Sequence, residues 1–351
     1  MKRSGLLSAA LLLAALPGCG GPGEPVTREA AASAVSAGPG FQDTETGGGP
    51  VTVVVPAIAS DLTSVLTLAA VGDVMLARSV GQAVLREGPS VVFAGVREVL
   101  AGADIAVANL ETAIAESGEP AAKSYRFRAP PPAAGALADA GIDVVGLANN
   151  HTLDYGTEAL SETLSSLDSW GVAHAGAGMD ASAAHKAATV MRHGLRVAFL
   201  SYVDVPAEGT FNRVNWDASA TRPGVAWFDE AAMRDDVAVA REGADLVVVL
   251  LHFGPEGSST PSATQRAQAR AAIDAGAALV IGSHPHVLQP VEEYNGGVIA
   301  YSLGNFVFDG FEGHANETAI FVAELTRDGV RSWRLVPASI GFDGLPVLTG
   351  E

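Results

Sequence analysis

The chain has 351 residues, 39 acidic and 21 basic side chains, a formal net charge of -18 and a single cysteine. One cysteine excludes a disulfide framework and any multi-cysteine zinc or iron–sulfur site, and the acidity argues against a general nucleic-acid binder, which needs a basic face. It does not exclude an anionic substrate, because bound cations can invert the local field. The length suits about two domains, or one α/β domain of about 280 residues with a tail.

Met1-Lys2-Arg3 precedes an apolar run from Leu6 to Leu16, followed by Pro17-Gly18-Cys19. A basic start with a short apolar core reads as a secretory signal over 1–18, too short for a stable membrane span. Its end, Leu-x-Gly-Cys, resembles a bacterial lipobox and implies lipidation at Cys19; the plainer alternative is an ordinary signal peptide with an incidental cysteine. The expected location is extracytoplasmic, as a membrane-anchored envelope lipoprotein, with the outer membrane open as a destination in a double-membrane cell. Residues 19–65 are rich in Gly, Pro and Ala. They cannot bury enough apolar surface to offset their ordering, so they read as a flexible tether, with Val51 to Ile58 as a stray strand.

A folded domain is expected over 66–340. Leu66 to Val71 is an apolar run ending in Gly72-Asp73. Ser90 to Leu100 reads as a helix on the spacing of its apolar residues. Asp104 to Ala108 is a short buried strand ending at Asn109. Pro131 to Ala140 is a helix with Pro in its first turn and Gly141 after its end. Ile142 to Ala148 is a strand running into Asn149-Asn150-His151, and Thr157 to Trp170 is a helix closed by Gly171. Val197 to Tyr202 and Leu246 to Leu251 are strands flanking a helix at Asp229 to Glu242. Ala263 to Ala275 is helical, and Leu279 to Ile281 is a strand running into Gly282-Ser283-His284. Val298 to Ser302, Thr318 to Leu325 and Val330 to Leu335 are shorter strands. The alternation predicts an α/β fold with layered, mixed sheets.

Polar residues gather where the strands stop: Asp73, Asn109 with Glu111, Asn150 with His151 and Asp154, His252, then His284 and His286. Ligands in α/β sheets bind outside the carboxyl ends of strands. Carboxylate, imidazole and amide donors suit a hard-to-borderline divalent metal.

These segments resemble the bacterial capsule-synthesis CapA (poly-γ-glutamate capsule) family, a branch of the metallophosphatase-like superfamily. The matching residues run in family order: Val71-Gly72-Asp73-Val74-Met75, Asn109-Leu110-Glu111, Tyr125-Arg126-Phe127, Ala148-Asn149-Asn150-His151 with Asp154-Tyr155-Gly156, His252-Phe253-Gly254-Pro255-Glu256, Gly282-Ser283-His284-Pro285-His286, and Tyr301-Ser302-Leu303-Gly304-Asn305-Phe306. The resemblance implies a four-layered α/β/β/α sandwich with two mixed sheets. It further implies two divalent ions, with Mn, Fe or Zn as candidates. Asp73 and His286 would bind the first and Glu111 would bridge. Asn150, His252 and His284 would bind the second, and His151 would face the scissile group and protonate the leaving oxygen. Two features depart from many metallophosphatases: Met75 replaces the imidazole of Asp-x-His, and Glu111 stands where an Asp is usual. Phe253, in a segment the family writes His-Trp-Gly, is expected in an aromatic lining.

Other residues keep two readings. Asp154 orients His151 or caps the following helix. Glu256 contacts substrate or is a solvated loop carboxylate. Arg126, with Arg128 beside it, grips an anionic substrate or forms a surface ion pair. Asn305 lines the cleft or steadies a turn. The resemblance implies a metal-dependent hydrolase or transferase-like domain that synthesises, processes or anchors poly-γ-glutamate or a related capsule polymer. Its partners would be an anionic surface polymer or a phosphorylated or γ-glutamyl substrate, the membrane through a lipid anchor, and a capsule synthetase membrane complex, with no nucleic acid. The alternatives are a non-catalytic assembly or export scaffold that binds the polymer through the metal cleft, and a generic envelope metallophosphoesterase.

Overall fold

The structure, a computed structural model, describes residues 64–350. The signal segment, Cys19, the tether and the stray strand at Val51 to Ile58 lie outside the described residues.

Two large mixed sheets form the centre. In the eight-stranded sheet, Leu66–Val74 runs antiparallel to Glu317–Thr326 on one side and parallel to Ile105–Leu110 on the other. The sheet continues outward through Ile142–Gly146 and Ala173–Ala175. On the other flank it continues through Gly329–Ile340 to Pro346–Leu348, past residue 340 where the sequence reading ended the domain. In the six-stranded sheet, Leu246–Phe253 lies parallel between Leu195–Asp204 and Leu279–Ser283.

Side-chain alternation, which sends successive residues of a strand to opposite faces, sorts these strands into layers. Leu66, Leu68 and Ala70 pack against Val197, Phe199, Leu246, Val248 and Leu250 in the core between the sheets. Their neighbours Ala69 and Val71 join a second core with Val80, Val84, Leu137, Leu160 and Leu167 from helices. Val247, Val249 and Leu251 turn outward against Met233, Val237, Ala269 and Ile273 in a third. The result is the expected four-layered α/β/β/α order. Each fully buried Val, Leu or Phe contributes about 1.5–3 kcal/mol, and near-continuous apolar strands are what burial on both faces requires.

Helix termini follow local chemistry. Ser262 and Gln265 form a reciprocal capping box at the start of Ala263–Ala275, and Gly276 closes it at φ 110° in the left-handed region. One expected helix does not form. Ser90 to Leu100 divides into a 3₁₀ turn, Pro89–Val91, and a short helix, Arg97–Ala101. Gly95 pairs with Val347, and a Cβ there would lie 2.7 Å from the Pro346 carbonyl oxygen. The close approach of the last strand interrupts the helix, although Val92, Val96 and Leu100 stay buried. A helix without a sequence signal, Arg78–Glu87, follows the first strand directly and has no side-chain cap.

The histidines outside the motifs serve ordinary roles. His185 Nδ1 lies 2.7 Å from Asp236 Oδ2, and the Tyr202 hydroxyl donates to the same oxygen at 2.8 Å. The Asp236 hydrogen bond, stronger here than the opposing effect of burial, raises the His185 pKa above its usual 6.5. A raised folded-state value gives stability that is fully present below the unfolded pKa and lost as pH rises through the folded one. The stability advantage of wild type over His185→Gln, measured by urea unfolding, is therefore expected to be larger at pH 5.5 than at pH 8. An advantage independent of pH would refute the assignment.

Candidate metal centre

The parallel strands of both sheets end at one place, and the polar residues at their ends meet there. The strand Leu66–Val74 changes register against Ile105–Leu110 between Ala70 and Asp73. Such an irregularity re-aims a side chain. Gly72 permits it, since a Cβ at that position would fall 1.9 Å from the Gly304 carbonyl oxygen. Asp73 and Glu111 are both fully buried, and Asn109 bridges them: its Nδ2 donates to Asp73 Oδ1 at 2.8 Å and lies 3.5 Å from Glu111 Oε2. From the second sheet, His252 places Nδ1 3.0 Å from the Ser283 hydroxyl and Nε2 2.8 Å from Asn150 Oδ1. His286 brings Nδ1 to 3.4 Å from Asp73 Oδ2.

Thus Asp73, Glu111, Asn150, His151, His252, His284 and His286, which span more than two hundred positions of sequence, form one buried cluster. The donor atoms of Asp73, Glu111 and His252 lie within 4.8 Å of one another, as do those of Glu111, His284 and His286. Glu111 belongs to both sets, as a bridging ligand would. His286 also stands beside Asp73, and His252 beside Asn150, so these residues can be divided between two ions in more than one way.

Three observations test whether these residues fit cations. Glu111 Oε1 and His284 Nδ1 are buried with no hydrogen-bond partner, and an unpaired buried polar atom costs about 1–3 kcal/mol. His284 and His286 have φ of 92° and 57°, a strained region for non-glycine residues that clusters at functional sites. Electrostatics supply the third. Burial and the adjacent Asp73 carboxylate push Glu111 well above the usual carboxylate range. Burial would also raise Asp73, but the His286 hydrogen bond and charge outweigh it and hold Asp73 low. Burial depresses His284 to about 3 and His252 well below its usual value, aided by the neighbouring imidazoles. Two buried carboxylates beside imidazoles that resist protonation form a set that divalent cations would neutralise. The residues fit the group.

His151 stands at the edge of the cluster. Its Nδ1 is 2.6 Å from Asp154 Oδ2, while Nε2 is 3.7 Å from Glu111 Oε1. Asp154 also accepts the Phe127 amide at 2.6 Å, and the helix Gly156–Trp170 has no side-chain cap. The carboxylate is therefore turned to the imidazole, not to the helix. A carboxylate only accepts, so His151 Nδ1 carries the proton and Nε2 is the free acceptor. Burial lowers its pKa to about 4 against the pull of Asp154.

The remaining candidates separate. Glu256 stands at the mouth of an adjoining cavity that Tyr125, Phe127, His151 and His286 also line. Arg126 does not line it: Tyr125 and Phe127 take one face of the extended chain, so Arg126 takes the other, donating to the Ala121 carbonyl at 3.3 Å. Arg128 likewise donates to Glu116 and Ser117 carbonyls. The arginine at the cavity is Arg78. Asn305 is fully buried. Its Oδ1 is 2.8 Å from His286 Nδ1 and its Nδ2 donates to the Ala315 carbonyl at 3.1 Å, so it holds an imidazole and is not presented to a substrate. Phe253 faces the helix-side core, not an aromatic lining. Met75 lies with Phe127 and Phe308, apart from the donor set.

Sequence reasoning missed Lys123. Its side chain is fully buried and pairs with Asp154 Oδ1 at 2.9 Å. Its Nζ donates to the Asn150 carbonyl and faces the rings of Phe211 and Trp216. The one available signal was scarcity, for the chain has three lysines. Asn149 was quoted in a motif without a role. Its amide bonds to Asn109 and the Leu110 carbonyl and its Oδ1 accepts the His151 amide, fixing the loop that presents Asn150 and His151.

Comparison with known proteins bears on these residues. The sequence model of the family described as "Bacterial capsule synthesis protein PGA_cap" matches residues 67–310. The "PGA biosynthesis protein CapA" of Bacillus subtilis is 32% identical over 288 residues, 81% of this chain and 74% of that protein. The "Capsule biosynthesis protein CapA" of Bacillus anthracis is 32% identical over 283 residues, 78% of this chain and 67% of that protein. A "Probable polyglutamine synthesis accessory protein" of Mycobacterium tuberculosis is 35% identical over 222 residues, 60% of this chain and 58% of that protein.

Proposed function

The chain belongs to the bacterial capsule synthesis (PGA_cap) family, and from that premise we propose that it is a metal-dependent hydrolase or transferase acting on poly-γ-glutamate or a related capsule polymer at the cell envelope. The observation that carries this reading is the buried donor cluster, with Glu111 common to both sets and two of its donor atoms unpartnered. When bound, divalent ions there would polarise the scissile group and make a water acidic enough to lose its proton near neutral pH.

This chain's own residues supply the rest. Asp73, Glu111, Asn150, His252, His284 and His286 would hold the ions. Asn305 and Ser283 fix the rings of His286 and His252, as outer partners of metal ligands commonly do. His151 is neutral at working pH because burial lowers it to about 4. It can therefore accept through Nε2 the proton that an attacking water loses and pass that same proton to the leaving group. Asp154 keeps its ring oriented.

The test is elemental analysis of the purified domain, followed by assay on a generic phosphodiester and on poly-γ-glutamate. Metal-loaded protein is expected to cleave at least one, and His151→Ala to lower that rate by about 10²–10⁴-fold while retaining metal. If loaded protein cleaves neither, the catalytic reading fails. The reading of a binding scaffold then stands in its place, and one feature favours it: Met75 takes the position of an imidazole ligand.

Membrane attachment through lipidated Cys19 belongs to the same proposal. Among the described residues no helix is long and apolar enough to cross a membrane. Intact mass of the mature protein is expected to show an acylated N-terminal Cys19, and a mature chain beginning elsewhere removes the anchor.

A further inference from the structure

We propose that the cavity beside His151 and His286 is a carboxylate subsite, in which Arg78 holds the carboxylate of a short acyl chain whose methylene groups lie against aromatic walls. The cavity measures about 210 Å³, below the roughly 300–1,000 Å³ of pockets for drug-sized ligands. It suits a single residue-sized segment. Tyr125, Phe127, Phe308 and Phe311 give it apolar sides, and it borders two imidazoles of the metal centre, so a segment bound there lies next to the reacting group.

Arg78 is its cation. The guanidinium carbon sits 4.6 Å from the Phe127 ring centroid and 5.9 Å from that of Tyr125, so stacking holds the planar group in place. Its Nη1 donates to Asp309 Oδ1 at 3.2 Å. A guanidinium has five donors, and the side chain remains 39% exposed, leaving an edge free for a planar ligand. Asp309 takes up one of those donors through Oδ1, and the Ser79 amide and hydroxyl hold its other oxygen, so it steadies the guanidinium while the remaining donors stay available. The backbone at Arg78 has φ 51°, a left-handed conformation that is strained for a non-glycine residue and recurs at ligand clamps.

The same wall distinguishes carboxylate from phosphate. The planar guanidinium edge matches a planar carboxylate in two parallel hydrogen bonds, and the aromatic sides take methylene groups that a phosphate lacks. Resting on the proposed function, the natural occupant is a γ-linked glutamyl residue, whose one free carboxylate sits on the α-carbon beside two methylene groups. The dependence on Arg78 does not rest on that function.

Calorimetric titration of the purified protein with glutarate tests the subsite, beside inorganic phosphate and a γ-linked triglutamate. Arg78→Met is expected to weaken glutarate at least tenfold, and Arg78→Lys by less, since an ammonium keeps the charge but not the planar pairing. Equal glutarate affinity in wild type and Arg78→Met, no glutarate binding by wild type, or an equal loss for phosphate would each overturn the proposal. Should Arg78→Met fail to fold, the Arg78 Nε–H resonance of the wild type is followed instead. A shift with glutarate but not with chloride supports the subsite, and its absence overturns it. Triglutamate separates the two levels: Arg78-dependent glutarate binding without triglutamate binding upholds the subsite and removes the polymer as its substrate.

Discussion

Replacing His284 and His286 together by alanine is expected to empty the donor set they share with Glu111, so that the purified domain keeps at most the metal held by Asp73, Glu111 and His252, while leaving it folded. Both imidazoles share a donor set with Glu111, so their loss leaves that set with one carboxylate. Loss of a residue that merely orients a ligand typically lowers metal affinity about 10–100-fold, so removing two direct donors is expected to exceed 100-fold. The fold should survive because both rings face the donor cluster, where His284 Nδ1 has no hydrogen-bond partner and His286 stands against Asp73, while the three large apolar cores are left untouched. Elemental analysis beside wild type reads the result directly, with circular dichroism as the control for folding. Full metal content in the folded double variant would remove the metal centre, and with it the catalytic proposal.

Lys123→Met is expected to be the most destabilising single change at the site. Lys123 and Asp154 are both fully buried in their side chains and paired at 2.9 Å. Breaking a buried pair from one side leaves an uncompensated charge and costs about 3–5 kcal/mol. At about 2–4 °C per kcal/mol, the melting temperature should fall by about 6–20 °C. Asp154→Asn alone strands the ammonium in the same way. Combining the two changes should cost clearly less than the sum, because neither charge then lacks its partner. Thermal melts of the two single variants and the double variant form the cycle. Additive losses would show that the pair is not a coupled unit, and that Lys123 does not govern the orientation of His151 through Asp154.

Much of this architecture was legible in the chain because it is written in apolar periodicity. Leu246–Phe253 is apolar through nearly its whole length, as a strand covered on both faces must be. Ala263–Ala275 is bracketed by Ser262 and Gly276, each with a capping function that local sequence reveals. The candidate ligands were legible for a related reason: α/β sheets bind ligands at the carboxyl ends of their strands, so a carboxylate or imidazole that closes an apolar run stands out. What failed to show depended on distant segments. The expected helix over Ser90 to Leu100 is interrupted by a strand that lies some 250 positions later in the chain. Arg126 and Arg78 exchange places because alternation about Phe127 sets which side chain meets the cavity, and its parity is fixed by packing. Asn305 looks like a cleft residue until its partner is known to be His286.

The direction of the first strand has a mechanical consequence. The chain enters the domain at Leu66 and reaches Asp73 seven residues later, about 23 Å away at about 3.3 Å per residue. The described domain therefore begins at one end of this strand while the donor cluster gathers at the other. Strain applied at the entry point would have to travel the length of a strand hydrogen-bonded on both sides before it disturbed the ligands.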